Sequence, residues 1–313
     1  MPDEKRIDVY YDGELFTAYI YPDDIAKPVL FPIITASGKT LTRGFPPKPG
    51  EATDHPHHVG HWFNYGDVNG LDFWNNSEKK PFQKPAFGHI EHQEMVSMKD
   101  GKNKASLKVK ALWKSLENKV ILTEETEFLF SSEGTTRIID RITTLKANDV
   151  DVLFRDNKEG MIAFRVTKEL ELPKQKPAEY SDSQGNVTKV QADTTGEIAG
   201  NYISSEGITG EKVWGTRGRW VVLEGIIEGE NVALSIIDHP GNVGYPTYWH
   251  ARGYGLFSAN PLGQEALSGG RDKLNFSLKA GESVTFKYRL LVHSGNKLAK
   301  ESVDQFANEF AEN

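Results

Sequence analysis

The chain has 313 residues, a formal net charge of -7 and no cysteine. An acidic balance offers no basic stripe on which phosphates could exchange their counterions, so nucleic acid is set aside; the missing thiols exclude disulfides, zinc-thiolate sites, iron-sulfur clusters and cysteine nucleophiles. No stretch approaches the ~18 consecutive apolar residues of a membrane helix, and the polar start Met1 to Arg6 runs directly into a strand pattern. A soluble cytoplasmic or periplasmic protein without a membrane span or secretory signal is therefore expected, folded as one domain over residues 1–313 because large β-sandwiches commonly exceed average domain length.

Ile7 to Tyr11 and Glu14 to Tyr21 flank Asp12-Gly13, a strong two-residue hairpin signal. Val29 to Ala36 and Thr40 to Thr42 flank Ser37-Gly38-Lys39 and predict a second hairpin. Beyond the proline-rich Phe45 to Gly50 lies a long loop running through Asp54-His55-Pro56-His57-His58-Val59-Gly60-His61-Trp62-Phe63 to Asn69-Gly70-Leu71-Asp72-Phe73-Trp74. Loops of such length are functional or disordered.

Leu107 to Trp113, Val120 to Phe130 and Thr135 to Leu145 alternate imperfectly with a two-residue period and predict an antiparallel meander. Residues 173–218, rich in polar residues and glycine, predict a surface excursion that could act as a lid. Hairpins are expected around Gly229-Glu230 and Ala280-Gly281-Glu282, followed by a C-terminal helix over 297–310, where Leu298, Val303, Phe306 and Phe310 keep a helical spacing. The fold class is thus all-β, a large antiparallel β-sandwich with a short C-terminal helix.

Six of the nine histidines lie between His55 and His92, and His239 and His250 bracket a second loop rich in aromatic residues and glycine. Imidazole titrates near neutrality, so such clustering suits proton transfer, metal ligation or hydrogen bonding to hydroxyls. No metal or other cofactor is expected; His57, His58 and His61 form the minority alternative of a divalent metal site, which needs a sharp turn because adjacent strand residues face opposite ways. The plainer alternative has these histidines bonding loop backbone.

Asp156-Asn157-Lys158-Glu159-Gly160 suffices for a β-turn, and equally offers Glu159 as an acid or base with Arg155 or Lys158 as an oxygen clamp. The stretch Asp238-His239-Pro240-Gly241-Asn242 through Trp249-His250-Ala251-Arg252-Gly253-Tyr254-Gly255 mixes rings with planar polar groups, as sugars require, although Trp249 and Tyr254 could equally be core. No Gly-x-Ser-x-Gly elbow appears.

These motifs together, from Asp54 to Phe63, Gly66 to Trp74, Asp156 to Gly160, Asp238 to Pro240 and Trp249 to Phe257, resemble a bacterial family labelled "methane oxygenase PmoA-like". The methane oxygenase activity is not carried over, since its membrane subunits span the bilayer several times and this chain has no such segment. What the resemblance implies is a supersandwich of the galactose-mutarotase kind in a family whose setting is sugar catabolism. Val59 stands where that family often has Arg or Lys, so position 59 is left out of the site.

Two readings follow. In the first, the chain is an epimerase, lyase or hydrolase of a sugar or glycoside, with a small-molecule or oligosaccharide substrate: His57 or His58 and Glu159 exchange protons, His239 and His250 face them, and His55, Trp62, Asn69, Asp72, Arg155, Lys158, Asn242, Trp249 and Arg252 bind substrate. In the second, the same loops form a noncatalytic carbohydrate-binding module.

Overall fold

The computed structural model describes residues 5–75, 86–174, 176–181, 187–190, 192, 193, 196 and 198–312. Its strands in chain order are β1 (Arg6–Tyr11), β2 (Glu14–Ile20), β3 (Val29–Leu30), β4 (His61–Tyr65), β5 (Leu71–Asp72), β6 (Ala86–Lys99), β7 (Lys104–Ser115), β8 (Val120–Glu133), β9 (Thr136–Ala147) and β10 (Val152–Phe154). They continue as β11 (Gly160–Arg165), β12 (Ala178–Ser181), β13 (Val187–Val190), β14 (Asn201–Ser204), β15 (Trp220–Ile227), β16 (Glu230–Asp238), β17 (Tyr248–Arg252), β18 (Leu256–Asn260), β19 (Phe276–Leu278) and β20 (Ser283–Gly295). Among the described residues the helical elements are two α-helices, α1 (Gln264–Ser268) and α2 (Lys300–Ala311), and two 3-10 turns at Lys168–Leu170 and Gly210–Val213.

A nine-stranded sheet, β14-β15-β16-β20-β9-β8-β7-β6-β5, lies against a seven-stranded one, β1-β2-β3-β4-β11-β18-β17. Among the described residues, strand pairing is antiparallel except where the short β5 runs parallel to β6. The main core fills the space between the sheets, with Phe63, Ile162 and Phe164 from one and Trp113, Phe128 and Phe286 from the other. Alternation along each strand decides what faces outward: Val221 and Leu223 enter this core, while Trp220 and Val222 turn away and are covered by Val303, Phe306 and Phe310 of α2. The expected large antiparallel sandwich with its C-terminal helix is therefore observed. No helix among the described residues is long and apolar enough to cross a membrane.

The Asp12-Gly13 hairpin forms as expected, with both residues at positive φ. The second hairpin is reduced to Val29–Leu30 and an isolated bridge between Ile34 and Thr40. Pro32 has no N–H to offer a ladder, so the pairing stops there. Residues 173–218 are not wholly an excursion: β14 pairs with β15, and Tyr202 and Val213 are buried in the main core. The lid expected there falls partly on residues outside the described ones.

Candidate functional site

Asp54 to Gly60 is held in place by two arginines. Arg43 donates to the carbonyls of Ala52, Asp54, His55 and His58 at 2.7–3.0 Å, using its planar fork as a substitute for the sheet partners the loop lacks. Arg165, fully buried on β11, donates to the Asp54 carboxylate at 2.8 and 3.3 Å. Gly60 closes the loop at φ +57°, where a Cβ would sit 2.2 Å from the carbonyl oxygen of Leu30; only glycine lets the chain enter β4 beside β3.

This backbone stacks four rings in a column. Tyr254 lies 5.2 Å from His55 at 5°, His55 lies 4.7 Å from His58 at 10°, and His58 lies 5.0 Å from Trp62 at 22°. His57 and Trp74 meet His58 edge-on at 4.4 and 5.5 Å, and Trp74 meets Trp62 at 5.3 Å. Burial, reinforced by the neighbouring imidazoles, Arg165 and Arg43, pushes His58 well below the ordinary histidine range. It is a neutral imidazole at pH 7, and neither ring nitrogen has a hydrogen-bond partner among the described residues.

The second wall is built from a carboxylate pair. Asp72 accepts the backbone N–H groups of Trp74 and Asn75 at 2.8 and 2.9 Å, and the Asn75 side-chain amide donates both to Asp72 (2.9 Å) and to Glu159 (2.7 Å). The turn before β11 fixes Glu159 further: its N–H donates to the Asn157 side chain, and its carbonyl accepts from Gly66. Glu159 is buried, at 2% exposure.

Strand register brings the third loop to the same face. Trp62 on β4 is opposite Ala163 on β11, Ala163 opposite Ser258 on β18, and Ser258 opposite His250 on β17. Residues directly opposed share a face, so Trp62 and His250 both stand on the side turned away from the nine-stranded sheet. The His250 ring bonds to the backbone of Lys158, next to Glu159, and burial again pushes its pKa well down. His250 lies within electrostatic reach of His55, and Tyr254 within reach of Glu159. Arg252, two residues along β17, covers the Trp214 ring at 4.8 Å.

His55, His57, His58, Trp62, Asp72, Lys158, Glu159 and His250 are thus gathered, and Arg252 borders them. The other residues go elsewhere. His61 points between the sheets, against Phe164 at 4.5 Å, with its Nδ1 3.1 Å from the Ala163 carbonyl. His57, His58 and His61 therefore do not converge, and among the described residues no group of three or more His, Asp or Glu side chains is arranged to hold a metal. Trp249 also enters the main core, beside Phe257, because it alternates with His250. His239 does not face the cluster: it packs on Phe310 of α2 at 5.1 Å, its Nδ1 accepting from Gly241.

Asn242 binds Asp238 and the Lys287 backbone, making the second Asp-His-Pro a strand-end turn in which burial pushes Asp238 up to about 7. Asn69, at φ +54°, bonds the backbone of Asp151 and Leu153, and Arg155 is exposed.

A model of one protein family matches residues 6–308. The chain belongs to DUF6807, a family of unknown function. That match does not carry the PmoA-like label suggested by the motifs. No curated protein matches the chain. Among solved structures, it is similar to galactose 1-epimerase from Lactobacillus acidophilus NCFM, with 8% identity, TM-score 0.39, and 93% of this chain and 98% of that one covered. It is also similar to the galactosidase domain of an alpha-galactosidase-sucrose kinase, AgaSK, with 9% identity and TM-score 0.40 over 94% of this chain; the chain spans 41% of that one. A galactose mutarotase related enzyme from Lactobacillus acidophilus gives 11% identity and TM-score 0.30 over 95% and 97% of the two chains.

The candidate site in this DUF6807 chain also holds residues that sequence reasoning passed over, Lys27 first among them. Lys27 is buried, donates to the His57 carbonyl at 2.7 Å and lies 5.4 Å over the Trp62 ring. Burial lowers its pKa to about 7 against the opposing pull of Asp72. Its only signal was a single charge among Ile25, Ala26, Pro28, Val29 and Leu30. Asn75, Arg43 and Arg165 carried no signal of their own, because what they do depends on partners distant in the chain.

Proposed function

We propose that this face of the seven-stranded sheet binds a sugar and acts on it by acid-base chemistry, with His58 and Glu159 exchanging protons with the substrate and His250 beside them. The observation that carries the reading is a set of buried polar atoms without partners among the described residues, around one aromatic wall: both ring nitrogens of His58, Nδ1 of His250, Nε1 of Trp62 and Oδ1 of Asn64 and Asn75. Buried polar groups are nearly always satisfied, so such a group of orphans suits a ligand rich in hydroxyls. The indoles of Trp62 and Trp74 add an apolar surface for the C–H face of a pyranose ring.

Both indoles are about 1% exposed or less. That burial favours an enclosed reaction site over the shallow platform of a noncatalytic binding module, and a neutral imidazole and a buried carboxylate on the loops of one face are groups able to exchange protons with a bound sugar. The test is an NMR screen of glycosides and keto sugars, which reports binding, anomer exchange and bond cleavage together. Turnover of one sugar by the native chain is expected, abolished in His58→Ala and Glu159→Gln variants whose circular dichroism is unchanged. Turnover that survives in both variants would remove the reading.

A further inference from the structure

The unpartnered atoms around Trp62 and Trp74 are mostly of one kind. Asn75 is fully buried, and its amide nitrogen donates to Oδ2 of Asp72 at 2.9 Å and to Oε2 of Glu159 at 2.7 Å. A side-chain amide has two N–H groups, so both are spent, and Oδ1 is left as an acceptor without a partner among the described residues. Asn64 repeats the arrangement. It lies two residues beyond Trp62 on β4, hence on the same face, its amide nitrogen donates to the Phe73 carbonyl at 2.7 Å, and its Oδ1 is buried and unpartnered. Neither amide can be turned round, because the Phe73 carbonyl only accepts, as does Asp72, which already takes the backbone N–H groups of Trp74 and Asn75.

His250 adds a third acceptor. Burial keeps its ring neutral, and its bond to the Lys158 backbone is of the kind that favours protonation, so the ring donates to that carbonyl. Nδ1 is unpartnered, so Nε2 carries the hydrogen and Nδ1 the lone pair. Neutral His58 offers one nitrogen of each kind, and Nε1 of Trp62 is a donor. The atoms awaiting a ligand on this wall are thus four acceptors, on Asn64, Asn75, His250 and His58, against two donors, on Trp62 and His58.

A hydroxyl brings a hydrogen to such acceptors, whereas a carboxylate or phosphate brings none. An anion against Oδ1 of Asn75 would also have Asp72 and Glu159 behind that amide, and too few donors to replace its water. The buried cations are committed: Lys27 to the His57 carbonyl, and the terminal nitrogens of Arg43 and Arg165 to Asp54 and the loop carbonyls, with Nε of each arginine left over. Lys158 and Arg252 are half-buried, where water screens a charge.

We propose that the substrate is an uncharged sugar, neither a uronate nor a sugar phosphate, and that Asn64, Asn75 and His250 set this specificity by accepting hydrogens from its ring hydroxyls. The inference rests on the reading that this face binds a sugar.

The probes are methyl pyranosides of the common aldohexoses, each beside its uronate and its 6-phosphate, titrated by calorimetry against the native chain at fixed ionic strength. A neutral pyranoside should bind about 10-fold or more tightly than its own uronate and phosphate. On that pyranoside each ring hydroxyl is then replaced in turn by hydrogen and by fluorine, which cannot donate. At the positions these acceptors read, both replacements should weaken binding alike, by about 10-fold or more. Asn64→Ala, with unchanged circular dichroism, should erase that penalty at one ring position. A uronate or phosphate that binds as tightly as its neutral parent, fluorine that restores affinity at every position, or every penalty kept in Asn64→Ala overturns the inference and leaves the sugar reading standing. A panel in which no pyranoside, uronate or phosphate binds defeats the sugar reading itself.

Discussion

Trp62 and His250 occupy the two ends of one cross-strand row, with only Ala163 and Ser258 between them. The row joins the first histidine loop to the last one, and its middle is made of small side chains. Ala163 is fully buried and packs with Trp62 and Leu256, so a longer side chain there has nowhere to go.

Ala163→Leu is therefore expected to overpack the row, costing about 1–3 kcal/mol in urea unfolding and weakening sugar binding by displacing Trp62. Native-like stability together with native-like binding would show that the row is not tightly filled.

Lys27 gives a signature in alkali. Its folded pKa, about 7, lies below the ordinary lysine value, 10.5, so between these limits the unfolded chain holds a proton that the folded chain does not. Stability from this group is present above 10.5 and lost as pH falls towards 7, with a slope of at most about 1.4 kcal/mol per pH unit. Lys27→Met should remove that slope from unfolding curves measured between pH 7.5 and pH 10, and the same pH dependence in variant and native chain would place the amine in water.

His58 acts on the acid side. Because its folded pKa is depressed, an unfolded chain takes up a proton near pH 6.5 that the buried imidazole refuses, and stability is lost as pH falls through that value. His58→Phe keeps a ring between His55 and Trp62 but cannot titrate. Comparing urea midpoints at pH 7.5 and pH 5.5 should show a smaller acid loss in the variant, along with lost turnover; an equal acid loss would contradict a buried neutral His58.

How much of this was legible follows from where each signal was encoded. The long strands β7, β8 and β9 were readable because one face is wet and the period of two survives. The equally long β6 was not, since its bulges between His92 and Glu94 and between Met95 and Ser97 shift the phase of an already exposed strand. β4 and β11 are buried on both faces and show no alternation at all, so the loop reading of residues 61–65 hid the strand that carries Trp62.

For the candidate site, the clustered histidines and the Asn157-Lys158-Glu159 turn pointed to loops that the fold brings together. What sequence left open was the face, which register alone decides. One residue along the strand separates His61, in the core, from Trp62, in the site, and Trp249 from His250. The repeated Asp-His-Pro was no guide either: at 54 it supports the ring column, while at 238 it ends a strand beneath α2.

The most direct test of the account is a crystal structure of the chain soaked with the sugar that emerges from the screen. The pyranose should lie against Trp62 and Trp74, with hydroxyls within about 3.2 Å of His58, His250 or Glu159. Sugar density confined to another surface, leaving the Trp62-to-His250 row untouched, would contradict it.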